Sequence, residues 1–176
     1  IMQLREQDPG VQIDWVGTSM GGLIGMALAA QPAFGLRRLV LNDVGPVIQW
    51  EALQRIGTYL GLNPSFGSAK EASDQLAAIS VGFGPHSPEQ WLALSLPMLR
   101  ERDGRWWLHY DPALALPLRA LTDAPDQAAA RQAVRDGETA LWGLYDAITA
   151  PTLLLRGAES DLLTQDTARA MAERGP

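Results

Sequence analysis

One stretch of this sequence is suited to nucleophilic chemistry: Gly17-Thr18-Ser19-Met20-Gly21, a serine flanked at two positions on either side by glycine. A serine hydroxyl is a weak nucleophile at neutral pH. It needs a base beside it, most often histidine, and a carboxylate to orient that base. The stretch lies where an apolar, β-prone run, Ile13 to Val16, gives way to an apolar helical pattern, Leu23 to Ala30, without proline. Strand, sharp turn and helix in that order hold a serine at the tip with its hydroxyl exposed. Gly17 and Gly21 suit a turn whose neighbouring side chains must be small, and Gly22 and Gly25 suit close packing of the helix on a sheet. A glycine-rich strand-to-helix turn without chemistry is the competing reading. The strand–turn–helix context favours the nucleophile.

The elements that position such a serine follow from hydrophobic patterning. Arg38-Leu39-Val40-Leu41-Asn42-Asp43 and Pro151-Thr152-Leu153-Leu154-Leu155-Arg156-Gly157 read as two further buried strands. The nearly continuous run from Leu36 to Asn42 predicts a parallel strand covered on both faces. The carboxyl ends of parallel strands share one side of a sheet. Ser19, Asp43 and Asp161 would therefore emerge on one edge, the last from Gly157-Ala158-Glu159-Ser160-Asp161.

On these residues the chain resembles the α/β-hydrolase family over positions 1–48 and 137–176. The resemblance implies an α/β fold: the parallel sheet of that family, with about three of its strands present. Residues 1–46 and 137–176 would form the partial core, and residues 47–136 a helical cap inserted between strands. The segment is longer than a crossover helix needs. The family order of catalytic groups is serine, acid, histidine. It assigns Ser19 as nucleophile and Asp161 as acid, with Asp43 as the alternative because some members place the acid there. It also assigns the Met20 backbone N–H to the oxyanion hole. The helix beginning there adds partial positive charge near a developing oxyanion.

The only histidines are His86 and His109, both before Asp161 and inside the expected cap. The family histidine follows a further strand after the acid. The base is therefore expected outside this chain, which reads as the middle and rear of a longer hydrolase. Its first residue is Ile rather than Met. The full-length reaction is expected to cleave a small ester, or a related amide or carbon–carbon bond next to a carbonyl, through an acyl-enzyme. Acyl transfer or perhydrolysis on the same scaffold, or a silent or binding role, are the alternatives.

Composition bounds the partners. The 176 residues carry a net charge of −6, which disfavours nucleic acid and anionic membrane surfaces. With no cysteine, thiolate metal sites, disulfides and a cysteine nucleophile are excluded. No metal or organic cofactor is expected, and no Gly-x-x-x-x-Gly-Lys phosphate loop occurs. No apolar run approaches the ~20 residues of a membrane span, and no signal peptide is visible, so the default location is the cytoplasm. The partner expected is a small, apolar substrate. Trp50, Tyr59, Phe66, Phe83, Trp91, Trp106 and Trp107 make the middle segment aromatic, and most of these should be core.

Local signals set the remaining elements. Residues 1–8 read as helix ended by Pro9-Gly10, and Val11 to Val16 as the first strand. Helices are expected over 48–60, over 68–81 with Ser68 and Glu71 as a capping box, and from Pro88 to about Arg100 with Ser87 as cap. Asp103-Gly104 predicts a turn in a short hairpin. Residues near Ala128-Ala129-Ala130 are helix-prone, with a mobile connection as the alternative, and helices are expected over 138–148 and, capped by Thr164, over 165–174.

Overall fold

The computed structural model describes all 176 residues. In chain order the elements are α1 (Met2–Gln7), β1 (Asp14–Thr18), α2 (Met20–Ala29), β2 (Arg38–Asn42) and α3 (Trp50–Gly57). They continue with β3 (Ser65–Phe66), α4 (Ala69–Ile79), α5 (Pro88–Ser95), β4 (Leu99–Arg102) and β5 (Arg105–Leu108). After these come α6 (Leu116–Thr122), α7 (Gln127–Asp146), β6 (Thr152–Leu155) and α8 (Gln165–Arg174). The chain forms two compact units, one of Ile1–Leu53 with Asp126–Pro176, the other of Gln54–Pro125. No helix is long and apolar enough to cross a membrane.

The first unit holds a parallel sheet in the order β1-β2-β6. Its last rung aligns Thr18 with Asn42 and Asn42 with Leu155. Leu39 and Leu41 of β2 point to one face and are buried with Met26, Tyr145, Leu163 and Met171. Each such side chain removed from water contributes about 1.5–3 kcal/mol. The helix α2 comes close to this face because Gly25 has no Cβ: one placed there would stand 2.6 Å from the Trp15 ring.

The sheet departs from the two-sided burial expected of Leu36 to Asn42. Side chains alternate in period two, and α2, α7 and α8 all feed the cluster around Leu39 and Leu41. On the opposite face Val16 is 72%, Leu153 55% and Leu155 44% exposed. Strand β1 also starts later than expected, at Asp14. That acid is a strand residue because Arg37 donates to both of its carboxylate oxygens.

The second unit contains helices and a small antiparallel sheet, β3-β5-β4. Asp103 and Gly104, at φ 53° and 69°, form the two-residue turn between β4 and β5. Both residues at positive φ give the twist a tight hairpin requires. The Ser68 hydroxyl accepts from the Glu71 N–H at 3.1 Å, while the Glu71 carboxylate accepts from Gly67 instead of Ser68. Ser87 and Gln90 make the reciprocal bonds of a full capping box. Helix α5 stops at Ser95, short of the expected Arg100, where Leu96-Pro97-Met98 tightens into a 3-10 turn.

Helix α7 is longer than the sequence suggests. It begins at Gln127, where the Asp126 carboxylate accepts from the Ala129 N–H at 2.9 Å, and it runs unbroken to Asp146. The helix-prone alanine stretch forms its first turns rather than a connection, with Ala130 buried.

Candidate active site

Ser19 occupies the junction of β1 and α2 at φ 51° and ψ −122°, a backbone conformation rare for any residue with a Cβ. Such a conformation costs on the order of 1–3 kcal/mol and persists only where the surroundings impose it. The surroundings here are specific. The Ser19 N–H donates to the Asn42 carbonyl at 3.3 Å, and its carbonyl accepts from Gly22 at 2.8 Å and Leu23 at 3.2 Å. A Cβ on Gly17 would overlap the Gly21 carbonyl. Nothing lies within 4 Å of where a Cβ on Gly21 would be, so crowding requires glycine at position 17 and not at 21.

A serine at a helix N-cap ordinarily spends its hydroxyl on an N–H of the first turn. Ser19 is the N-cap of α2, yet its side chain makes no cap hydrogen bond, and the residue is exposed. Met20 is the first residue of α2. Its N–H points out of the helix start without an intrahelical acceptor, as geometry dictates for a first-turn donor.

The next two strands deliver the acids. Asp43 follows β2 at φ 56°, and Asp161 lies in the loop after β6. The final rung puts Ser19, Asp43 and Arg156 each one residue past the aligned strand ends. Adjacent strands are about 4.8 Å apart, so the three positions stand along one sheet edge. The Asn42 side chain donates to the Thr18 hydroxyl at 3.0 Å, which ties β1 to β2 at that edge.

Asp43 and Asp161 have different surroundings. One Asp43 oxygen accepts from the Gly157 N–H at 2.9 Å and the other from the Ser160 hydroxyl at 2.8 Å. Asp161 is an exposed residue in the loop that these bonds hold.

No histidine belongs to the first unit. In the second unit His86 Nδ1 lies 3.0 Å from the Gly84 carbonyl, and its ring is 5.1 Å from that of Trp91. His109 Nε2 lies 2.6 Å from an Arg100 guanidinium nitrogen. No three His, Cys, Asp or Glu side chains gather into a group that could hold a metal ion. Beyond Asp43, the loop leading to α3 borders a cavity of about 290 Å³ in the first unit, whose walls include Val47, Ile48, Val134, Arg131 and Glu138. Burial raises the Glu138 carboxyl above its ordinary value, with Arg135 opposing. The lining is mixed apolar and charged, a feature the sequence alone did not signal.

No protein-family model matches the chain. A 3-hydroxybutyrate-oligomer hydrolase of Cupriavidus necator is 46% identical over 168 residues, which are 93% of this chain and 55% of that protein. An alpha/beta hydrolase from Novosphingobium aromaticivorans is 34% identical with a TM-score of 0.76, over 97% of this chain and 57% of that one. An M. tuberculosis esterase is 25% identical with a TM-score of 0.64, over 99% of this chain and 55% of that one. The chain thus spans about half the length of the relatives it matches.

Proposed function

We propose a serine-dependent ester hydrolysis for this chain, which has the α/β-hydrolase fold. Hydrolase relatives on the same fold support the class of reaction. The observation that carries the serine reading is the Ser19 backbone, held at φ 51° with a hydroxyl that caps nothing. Strain kept at one exposed serine, and paid for by a glycine its neighbour cannot lose, fits a nucleophile presented to substrate.

Ser19 Oγ attacks the ester carbonyl carbon while its proton passes to a histidine. On the family order of serine, acid, histidine, that histidine follows Asp161 and is expected outside these 176 residues. The Met20 N–H, at the positive end of α2, donates to the oxyanion. Asp161 orients the histidine. The tetrahedral intermediate collapses, the alcohol leaves with the histidine's proton, and water then releases the acid from the acyl-enzyme.

For the substrate, the relative from Cupriavidus necator points to ester bonds between short hydroxy acids of the 3-hydroxybutyrate type. The test is release of monomer from a 3-hydroxybutyrate dimer and trimer, followed by chromatography. It compares this chain with the protein at its natural length, each beside Ser19→Ala. Monomer released by the natural-length protein and not by its Ser19→Ala variant is expected. Equal release by both would refute the serine mechanism, and turnover of simple esters alone would refute the substrate. One observation favours a second reading, a binding role without turnover: no histidine lies in the unit that carries Ser19. Silence of the natural-length protein on every ester would select it.

A further inference from the structure

We infer that Asp43 is a positioning residue for Asp161, acting through Ser160 and the backbone of the loop after β6. This rests on the proposed serine mechanism. Asp43 adopts φ 56° directly after β2, and its N–H donates to the Leu155 carbonyl at 2.9 Å. Its carboxylate then bridges to the neighbouring loop. Oδ1 accepts from Gly157 N–H at 2.9 Å, and Oδ2 accepts from Ser160 Oγ at 2.8 Å.

Ser160 relays the constraint. Having donated its proton to Asp43, its Oγ accepts from the Leu162 N–H at 3.2 Å and the Leu163 N–H at 3.0 Å. Arg156 closes the same loop, donating to the Leu163 carbonyl at 2.8 Å and the Ala158 carbonyl at 3.1 Å. Asp161 therefore sits between two residues, Ser160 and Leu162, that one carboxylate holds directly and indirectly. Hydrogen bonds to a charged partner are about twice as strong as neutral ones, so Asp43 and Arg156 are the strong anchors of the loop. With each oxygen accepting a donor from the loop after β6, the Asp43 carboxylate ties that loop to the end of β2.

The test has two arms. The first uses the protein at its natural length and p-nitrophenyl butyrate, with Asp43→Asn, Ser160→Ala, Asp161→Asn and the double variant Asp43→Asn/Asp161→Asn. Asp161→Asn is expected to lower kcat by about 10³–10⁴-fold. Asp43→Asn is expected to lower it by about 10–100-fold with KM unchanged, the scale of a small misplacement of a catalytic group. A carboxylate beside an imidazolium raises its pKa, so loosening Asp161 moves the acid limb of kcat/KM to lower pH. The shift should have the same direction in Asp43→Asn as in Asp161→Asn. The double variant should be no slower than Asp161→Asn alone, because Asp43 acts through Asp161. Additive losses, an acid limb that stays in place while the melting temperature falls, or a harmless Asp161→Asn beside a silent Asp43→Asn would each overturn the inference. If Asp43→Asn does not fold, Ser160→Ala carries the same expectations in smaller measure.

The second arm needs no turnover. In the natural-length protein, amide exchange of Gly157, Leu162 and Leu163 should speed up by about tenfold in Ser160→Ala and Asp43→Asn, and unchanged protection overturns the inference. Failure of the serine mechanism itself would show separately, as turnover that survives Ser19→Ala.

Discussion

The indole N–H of Trp15 donates to the carbonyl of Gly21 at 2.9 Å, joining the strand before Ser19 to the first turn of the helix after it. The same ring fills the space above Gly25. The turn that presents Ser19 is thus clamped from below by a side chain of its own strand. Trp15→Phe removes the donor and part of the ring, leaving the Gly21 carbonyl without this partner. We expect a loss of about 1–3 kcal/mol in urea unfolding, and unchanged stability would show that the clamp is idle.

Two glycine substitutions should move stability in opposite directions. Gly17→Ala drives a Cβ into the Gly21 backbone, which has no flexible end to yield. A loss above about 3 kcal/mol or failure to fold is expected. Gly143→Ala lies inside α7 with nothing within 4 Å of the new Cβ, and should gain about 0.5–1 kcal/mol. Thermal unfolding of the two variants side by side checks both signs.

Alkaline pH should act through Tyr145. Burial, and secondarily the negative charge of Asp146, raise its phenol above the ordinary value near 10. Its hydroxyl donates to the Met171 carbonyl at 3.0 Å in the core. A folded pKa above the unfolded one means that the stabilisation is complete below about pH 10 and declines as pH rises toward the folded pKa. Melting temperatures from pH 8 upward should fall beyond pH 10, and Tyr145→Phe should flatten that fall at a cost of about 1 kcal/mol at neutral pH. A fall equally steep in Tyr145→Phe would remove Tyr145 as its source.

Much of this was legible in the sequence, for local reasons. The glycine spacing around Ser19 marks a turn that few other residues can enter. Asp103-Gly104 marks a hairpin by its tolerance of positive φ, and Thr164 caps α8 where the apolar period begins. What escaped was long-range. Asp14 lies inside the strand expected from the sequence, but its ion pair with Arg37 was not legible. The bonds from Gly157 and Ser160 to Asp43, across more than a hundred positions, were not legible. The one-sided burial of the sheet was likewise hidden, because a run of Leu and Val looks the same whether one face or both are covered.

That open face carries its own consequence. Val16, Leu153 and Leu155 present apolar surface beside the outer edges of β1 and β6, which pair with no further strand. Exposed apolar edges template self-association. This chain alone should elute as concentration-dependent assemblies in light scattering, and Val16→Lys with Leu153→Lys should shift it toward monomer. A sharp monomer at all concentrations would contradict this.

The most direct test of the central claim is covalent capture of Ser19. The natural-length protein is treated with a fluorophosphonate, digested, and its peptides mapped by mass spectrometry. Phosphonylation confined to the peptide bearing Ser19, and lost in Ser19→Ala together with ester turnover, is the predicted result. Labelling at another residue, or ester hydrolysis that continues in Ser19→Ala, would contradict the assignment of Ser19 as nucleophile.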